Sequence, residues 1–298
     1  MAWPTAIDYQ DTVSDPARCF IDPELRASRI VDRTPYGAPL PIAGQYAHIY
    51  RLAHPDGRMW AVRLFLRESS ERSERYAAIT RHLSVVALRS VVPFTYQEKG
   101  IVLGKAVFPL VKMDWIDGQP FHLAIEQRLL VPGAMAALCE RFLALIFSLE
   151  EARVAHGDLQ QDNLIVDRES GIIRLLDYDG MFVPELAGRM SAEIGHPAYQ
   201  HPRRDRLHYG PALDRFSALV FFASLLVLRH APDLWYRLHN SDNLLFRQKD
   251  YLDPDDSFAF DVVRQNVWRY PEAMRAVNVL MDACRSGPLE APPLDRVL

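Results

Sequence analysis

The amino-acid sequence predicts an α+β protein of two lobes, a small β-rich N-terminal lobe and a larger helical C-terminal lobe. Short apolar and aromatic runs with strand-like alternation fill residues 41–116. The turn-forming "DGQP" at 117–120 breaks this pattern. Beyond it, apolar residues recur at helical spacing over 133–150, 212–229 and 271–284. Two lobes also suit a chain of 298 residues, which exceeds the usual single core.

The elements can be justified in chain order. Residues 1–40 hold five prolines and no sustained period, so we expect an extension that lies on the following domain. "PIAGQYAHIYRL" and "RMWAVRLFL" flank the turn "HPDG" and predict a β-hairpin. Residues 69–84 predict an amphipathic helix, and "GIVL" and "VFPLVKMDW" predict two further strands. We therefore place an N-terminal extension at 1–40, an N-terminal lobe at 41–116 and a C-terminal lobe at 117–298.

Composition narrows the class of protein. A hydrophobic content of 49% with 24% charged residues is typical of a globular protein. The formal charge of −4 predicts neither a nucleic-acid partner nor an anionic membrane surface. Cys19, Cys139 and Cys284 lie far apart without CxxC spacing, which favours a reducing cytoplasm over disulfides or zinc. No signal peptide is evident, and the apolar run at 216–228 is too short for a membrane span, so it predicts a buried helix.

The stretch "HGDLQQDNLIVDRESGIIRLLDYDG", residues 156–180, carries the candidate chemistry. Asp158 precedes Asn163 by five residues, and Asn163 precedes Asp177 by fourteen, across an apolar hairpin pattern. Carboxylate and amide oxygens suit a hard cation such as Mg²⁺, and a further carboxylate can accept a proton from a hydroxyl. Each residue alone is more often a turn or strand-end residue. Together they indicate phosphoryl transfer.

This joint spacing resembles the catalytic loop and metal-binding motif of the protein kinase-like superfamily. The pattern His-x-Asp-x-x-x-x-Asn is matched by His156, Asp158 and Asn163, and Asp-Phe-Gly is approximated by "DYDG", with Asp177 leading. The chain is therefore similar to divergent, bacterial-type Ser/Thr protein kinases and pseudokinases. The resemblance implies a bilobal protein kinase-like fold with Asp158 as catalytic base. It also implies that Asn163 and Asp177 hold Mg²⁺ or Mn²⁺.

Further segments resemble the same family in the same order. "IAGQYAHIY" resembles the phosphate-covering loop with only Gly44 kept, "LVKMDWIDG" the hinge with Met113 as gatekeeper, and "GHPAYQHPRR" the end of the activation segment. "LDRFSALVFFASLL" resembles the central helix, whose Asp214 would anchor backbone N–H groups of the catalytic loop. By resemblance, the residues expected to contact ATP are Gly44, Ala47, Ile49, Ala61, Met113, Asp114, Ile116 and Ile165.

The chain also departs from the family pattern. Arg63 replaces the phosphate-binding lysine and remains cationic, and the helix glutamate that normally pairs with that lysine is not in phase. The inward face of the 69–84 helix instead carries Tyr76 and Arg72. Gln160 replaces a lysine near the catalytic base and could hydrogen-bond a phosphate oxygen.

Two further departures concern the activation segment. Gly157 replaces the arginine that would pair with a loop phosphate, so we expect no dependence on phosphorylation of Ser191. Arg203 replaces the closing glutamate, which predicts a reversed ion pair with Glu290. His196 and His201 are expected to pack and hydrogen-bond rather than bind metal.

Three functions remain open. The favoured one is a protein kinase-like phosphotransferase that uses ATP and Mg²⁺ or Mn²⁺ on a Ser or Thr hydroxyl of an unidentified protein. The second is a pseudokinase that binds nucleotide and acts as a scaffold for a protein partner. The third is a small-molecule kinase of the aminoglycoside or choline type, where "HGD" is common but no activation segment like "GHPAYQHP" occurs.

Overall fold

The computed structural model describes residues 3–298, which divide into two compact units. The first unit comprises the described residues up to Ala77 together with Val92–Ile116. The second comprises Ala78–Val91 and Asp117–Leu298. Strands dominate the first unit and helices the second, so the α+β class is confirmed.

The first unit is built on an antiparallel sheet. The strands are β1 (Arg29–Ile30), β2 (Ile42–Ala43), β3 (Ala47–Ala53), β4 (Met59–Phe65), β5 (Phe94–Leu103) and β6 (Ala106–Asp114). Neighbouring strands follow the order β1, β3, β4, β6, β5, and β2 pairs with β3. The predicted hairpin is β3–β4, and its turn is closed by the His54 N–H donating to the Arg58 carbonyl at 2.9 Å. Gly57 supplies the positive φ of 93° that this turn requires.

The N-terminal segment contributes to the core of this unit. It forms the short helices α1 (Ala6–Thr12), α2 (Pro16–Cys19) and α3 (Pro23–Ala27). Two of its prolines occupy the first turns of α2 and α3, where a missing N–H is tolerated. Helices this short cannot complete a periodic pattern, which is why none was visible in the sequence. Their apolar side chains join one core cluster with the sheet, and the buried members of this cluster include Tyr9, Val13, Phe20, Leu25, Tyr50, Val62, Leu64 and Leu110.

Helix α4 (Arg72–Val85) begins three residues later than predicted. Tyr76 and Ile79 are buried, at 3% and 1% exposure, as the predicted inward face requires. Arg72 is half-buried, with its guanidinium 3.9 Å from the ring centre of Phe65. Arg75 is also buried, which the sequence did not indicate, and it bonds Glu71 one turn earlier at 3.0 Å.

The second unit packs helices around α7 (Arg215–His230). The entire run 216–228 is buried, as predicted. The predicted helices at 133–150 and 271–284 are α6 (Ala134–Glu151) and α11 (Pro271–Arg285). Among residues 3–298, no helix has the length and apolarity to cross a bilayer. The remaining elements are β7 (Gly118–Pro120), α5 (Phe121–Glu126), β8 (Leu164–Asp167), β9 (Ile173–Leu175), α8 (Leu234–Leu238), α9 (Gln248–Leu252) and α10 (Phe258–Val267).

Candidate functional site

The hairpin β8–β9 brings two of the predicted site residues together. Leu164 pairs with Leu175, and the Leu176 N–H donates to the Asn163 carbonyl at 2.9 Å. The register therefore places Asn163 and Asp177 at the same open end of the hairpin. This is the placement that the alternation of "NLIV" and "IIRLL" around a turn predicts.

The loop before β8 folds back so that Asn163 also contacts Asp158. The Asn163 amide Nδ2 donates to the Asp158 carbonyl at 2.9 Å and to the Asp158 carboxylate Oδ2 at 3.1 Å. Gln160 Nε2 donates to the same Oδ2 at 2.8 Å. The structure thus brings three sequence-predicted residues, Asp158, Gln160 and Asn163, into one hydrogen-bonded group.

The second carboxylate oxygen of Asp158 is held by the segment that resembles the end of an activation segment. The backbone N–H of His196 donates to Asp158 Oδ1 at 2.7 Å. Gly195 makes this approach possible, because a Cβ there would lie 2.8 Å from the same oxygen and its φ is +82°. Asp158 is 9% exposed, and its carboxylate accepts three hydrogen bonds. Sequence reasoning missed the role of Gly195, although a glycine before "HP" was a visible signal.

Asp214 anchors the candidate catalytic loop by hydrogen bonds to its backbone, as the resemblance implied. One of its carboxylate oxygens accepts from the Gly157 N–H at 2.8 Å, and the other accepts from the His156 N–H. Burial raises the pKa of Asp214, and the two backbone hydrogen bonds act in the opposite direction by favouring the carboxylate. His156 is buried, and its Nε2 lies 2.7 Å from the Leu176 carbonyl, which ties the loop to the chain beside Asp177.

Gly157 occupies a position that a side chain would not fit. Its φ is +83°, a region that glycine favours. A Cβ built on it would lie only 2.1 Å from the Gly180 carbonyl oxygen. The absence of arginine at this position is therefore a requirement of the local backbone, and no longer side chain could occupy it without a rearrangement.

Asp177 has an unusual backbone conformation. It is one of the described non-glycine residues with positive φ, at 63°, a state that costs about 1–3 kcal/mol and concentrates at functional sites. Its Oδ1 accepts from the Asp179 N–H at 3.4 Å. The next residue, Tyr178, is buried at 1% exposure and donates its hydroxyl to the Leu175 carbonyl at 2.8 Å. The buried tyrosine anchors the chain immediately after Asp177.

Asn163 and Asp177 each carry an oxygen atom that could serve as a ligand for a magnesium ion. Asn163 directs its amide nitrogen at Asp158, which leaves its amide oxygen as an acceptor, and Asp177 adds a half-buried carboxylate. These are oxygen ligands of the kind that Mg²⁺ prefers. In the described part of the chain, no cluster of three or more His, Cys, Asp or Glu could hold a metal by itself.

The predicted nucleotide residues of the first unit lie largely on one face of its sheet. Ile49 pairs with Arg63, and Ala61 pairs with Met113, so the four side chains share a face by strand alternation. Ala47, two residues before Ile49, shares it as well. This face is half-buried at Ile49, Ala61, Arg63 and Met113, whereas the opposite face carries the fully buried core.

The other predicted nucleotide residues lie outside this row. Gly44 is exposed between β2 and β3, and its N–H donates to the Ala47 carbonyl at 3.0 Å. The Asp114 N–H donates to the Pro93 carbonyl at 3.1 Å, while Ile116 follows the end of β6. Ile165 belongs to the second unit, where it pairs with Arg174 in β8–β9 and is half-buried.

The predicted ion pair between Arg203 and Glu290 is wrong. The Arg203 guanidinium donates instead to the Arg285 carbonyl at 2.8 Å and to the Ser286 carbonyl. Glu290 accepts from the Gly287 N–H at 2.6 Å, and both side chains are exposed. The last carbonyls of a helix lack intrahelical partners, so Arg203 caps the end of α11 in place of meeting a carboxylate.

The two histidines of this segment have the structural roles expected of them. The His196 Nδ1 accepts from the Ala198 N–H at 3.3 Å, and its ring packs edge-on against Tyr199. The His201 Nδ1 accepts from the Arg203 N–H at 3.1 Å, and its ring packs edge-on against Phe216. Burial lowers the pKa of His201.

Ser191, the residue whose phosphorylation was considered, is fully buried. Its hydroxyl donates to the Glu193 carbonyl at 2.5 Å. Its backbone N–H donates to the Arg206 carbonyl, and Arg206 Nε donates to its carbonyl, at 2.8 Å each. In this conformation the hydroxyl is not presented to a modifying enzyme. The segment is held here by its contacts with Arg206.

The chain shares a partial sequence similarity with a known protein. No protein-family model matches the chain. The chain is similar to the serine/threonine-protein kinase STE20 of Saccharomyces cerevisiae, at 25% identity over 118 residues. That stretch is 39% of this chain and 12% of the yeast protein, so the chain spans a small part of its relative. The similarity supports a kinase-like relationship over this stretch.

Proposed function

We propose that the chain is an ATP-dependent phosphotransferase of the protein kinase-like type, which transfers the γ-phosphate to a Ser or Thr hydroxyl of a protein. The observation that carries this proposal is the hydrogen-bonded group of Asp158 and Asn163 beside Asp177, on a loop anchored by Asp214. It combines a proton acceptor with oxygen ligands for a cation, which are the groups that phosphoryl transfer requires of a protein.

Each side chain has a defined role in this proposal. Asp158 orients the attacking hydroxyl and accepts its proton, because its carboxylate is fixed in place by Asn163 and Gln160. Asn163 and Asp177 would hold Mg²⁺ or Mn²⁺, and the bound ion would neutralise charge on the transferred phosphate. Gln160 keeps the carboxylate of Asp158 oriented and would be close enough to bond a phosphate oxygen.

The half-buried sheet face of the first unit is proposed to bind ATP. Ala61 and Met113 are paired across β4 and β6 and form a small apolar surface suited to a flat base. Arg63 lies two residues after Ala61 on the same face of β4, and its planar guanidinium can form paired hydrogen bonds to phosphate oxygens.

A nucleotide-binding pseudokinase is the second candidate, and one observation favours it. The Asp158 carboxylate is 9% exposed and already accepts bonds from Gln160, Asn163 and the His196 N–H. A base in this state must exchange one of these partners for the substrate hydroxyl. A small-molecule kinase is less favoured, because the segment at Gly195–His196 that resembles an activation segment is bonded directly to Asp158.

The deciding experiment measures thermal stabilisation by ATP with and without Mg²⁺, together with transfer of labelled γ-phosphate. Ligand at 100 times its dissociation constant stabilises by about 2.7 kcal/mol. We expect the metal-dependent part to vanish in Asp177→Asn and to survive in the matched control Asp179→Asn, two residues away. Mg²⁺ without ATP should give no shift, because the site needs phosphate oxygens to complete it.

The outcomes separate the candidates. Metal-dependent binding with phosphate transfer supports the phosphotransferase, and binding without transfer supports the pseudokinase. If Asp177→Asn keeps the full metal-dependent shift, Asp177 is not a ligand and the proposed site is wrong.

A further inference from the structure

A buried arginine lies beside the candidate catalytic loop. Arg204 is 7% exposed, whereas its neighbour Arg203 is exposed and caps α11. Burial lowers the pKa of Arg204, while the nearby carboxylates of Asp214 and Asp158 act in the opposite direction. Arginine nevertheless stays charged in proteins, so a cation is held next to two acidic groups of the site.

The guanidinium joins two segments that are far apart in sequence. Its Nη1 donates to the Gly157 carbonyl at 2.8 Å and to the Gln200 side-chain oxygen, and its Nη2 lies 3.4 Å from the Glu193 carbonyl. Gly157 belongs to the catalytic loop, and Glu193 and Gln200 belong to the segment that covers Asp158. One side chain therefore connects the loop to its cover.

The contact at Gly157 is the important one, because it fixes the peptide that leads into Asp158. The Gly157 N–H is bonded to Asp214, and its carbonyl is bonded to Arg204, at 2.8 Å each. Both polar groups of this residue are thus held by charged side chains, and such hydrogen bonds are the stronger kind. With both ends fixed, the direction in which Asp158 leaves the loop is fixed as well.

Residue 157 itself could not supply this cation. Its φ of +83° and the 2.1 Å approach to the Gly180 carbonyl admit only glycine. The cation instead enters from position 204, 47 residues away, where the sequence has an arginine pair followed by Asp205.

We propose that Arg204 is a positioning residue for Asp158: it holds the Gly157 peptide against Asp214 and ties the 193–200 segment to the loop. This inference rests on the proposed function in that Asp158 is the group positioned. The contacts themselves do not depend on that function, so the two can be tested separately.

The test compares Arg204→Met, Arg204→Lys and the matched control Arg203→Met. Backbone amide hydrogen exchange is measured over 156–160 and 193–196, alongside the urea unfolding midpoint and the kcat and KM for turnover of Mg²⁺-ATP. For Arg204→Met we expect exchange in both stretches to accelerate at least 10-fold. We also expect kcat to fall at least 30-fold while the KM for ATP stays within about threefold.

The other two variants isolate the cause. Arg204→Lys keeps the charge but lacks the planar fork, so we expect partial recovery of both exchange protection and kcat. Arg203→Met should accelerate exchange at the end of α11 and leave the 156–160 stretch and kcat unchanged. If Arg204→Met does not fold, the same comparison is made between Arg204→Lys and wild type.

Wild-type exchange at 156–160 in the folded Arg204 variant would overturn the proposal. So would a loss of kcat that Arg203→Met reproduces, or one that only follows the fall in urea midpoint. If wild type turns over no ATP, the phosphotransferase proposal fails, and the exchange measurement still decides whether Arg204 holds the loop.

Discussion

Replacing Gly157 with alanine tests how closely the candidate catalytic loop packs against the chain after Asp177. Gly188 provides a matched control, because its φ of +82° is nearly the same as the +83° of Gly157. A Cβ at Gly188 meets nothing within 4 Å, whereas a Cβ at Gly157 meets the Gly180 carbonyl oxygen at 2.1 Å. Comparing the two variants separates the effect of backbone conformation from the effect of close contact.

The expected magnitudes follow from these two situations. A left-handed conformation costs a non-glycine residue about 1–2 kcal/mol, and this applies to both variants. At Gly157 the Gly180 carbonyl must also withdraw from 2.1 Å to the 3.4 Å of an ordinary contact. Forcing extra atoms into a packed interior costs about 1–3 kcal/mol more. Gly157→Ala should therefore lose roughly 2–5 kcal/mol of unfolding free energy, and Gly188→Ala roughly 1–2 kcal/mol.

Urea unfolding measures the difference in unfolding free energy between the two variants, provided that the slope of free energy against urea concentration is the same for both. Because residue 157 directly precedes Asp158, phosphate transfer should also fall in Gly157→Ala more than in Gly188→Ala. If the two variants lose equal stability, the close approach of Gly157 to Gly180 does not exist in solution. The explanation given above for the glycine at this position would then be wrong.

The remaining predictions concern nucleotide, regulation and pH. Arg63→Ala should weaken ATP binding by about 1.5–3 kcal/mol, the scale of a hydrogen bond to a charged group, and Arg63→Lys should recover part of this binding energy. Wild-type affinity for ATP in the alanine variant, measured by calorimetry, would exclude Arg63 from phosphate binding. Ser191→Ala should retain phosphate transfer in phosphate-free protein, because the segment is already held by Arg206; activity that appears only after phosphorylation of Ser191 would contradict this. The depressed pKa of His201 means that the unfolded chain binds a proton more readily than the folded one, so its contribution to stability is present above pH 6.5 and is lost as the pH falls below it. His201→Phe should therefore flatten the decline in unfolding free energy between about pH 7 and 5, where one such histidine can contribute up to ~1.4 kcal/mol per pH unit. Equal slopes of unfolding free energy against pH in His201→Phe and wild type would contradict the assignment.

The spacing of apolar residues along the chain predicted many of the helices and strands. Alternation predicted β3 and β4 around the turn at Gly57, and helical spacing predicted α6, α7 and α11 to within a few residues. These elements form through contacts between residues a few positions apart, so their signal is present in a single stretch of sequence. The same holds for Asn163 and Asp177, because the hairpin that unites them is formed from adjacent segments.

The resemblance to kinases extended the prediction further, with one error. It led to Asp214 as the anchor of the candidate catalytic loop, a contact spanning 58 residues that no periodicity could reveal. It also led to the pair of Arg203 with Glu290, which does not form. In that case a charge was matched to a charge, whereas the structure offers Arg203 the unpaired carbonyls at the end of α11. The roles of ATP, of the metal and of a protein substrate stay predictions.

The amino-acid pattern was thus sufficient for the α+β class, for the principal helices and strands, and for the candidate residues Asp158, Asn163 and Asp177. Folding alone brought the His196 N–H to Asp158 across 38 residues and Arg204 to the Gly157 carbonyl across 47. Such contacts depend on where separate segments meet in space and on how closely they approach. Periodicity records only which face of an element is apolar. Close packing therefore explains why positions 157 and 195 require glycine. It also buries Arg204 while its neighbour Arg203 stays exposed.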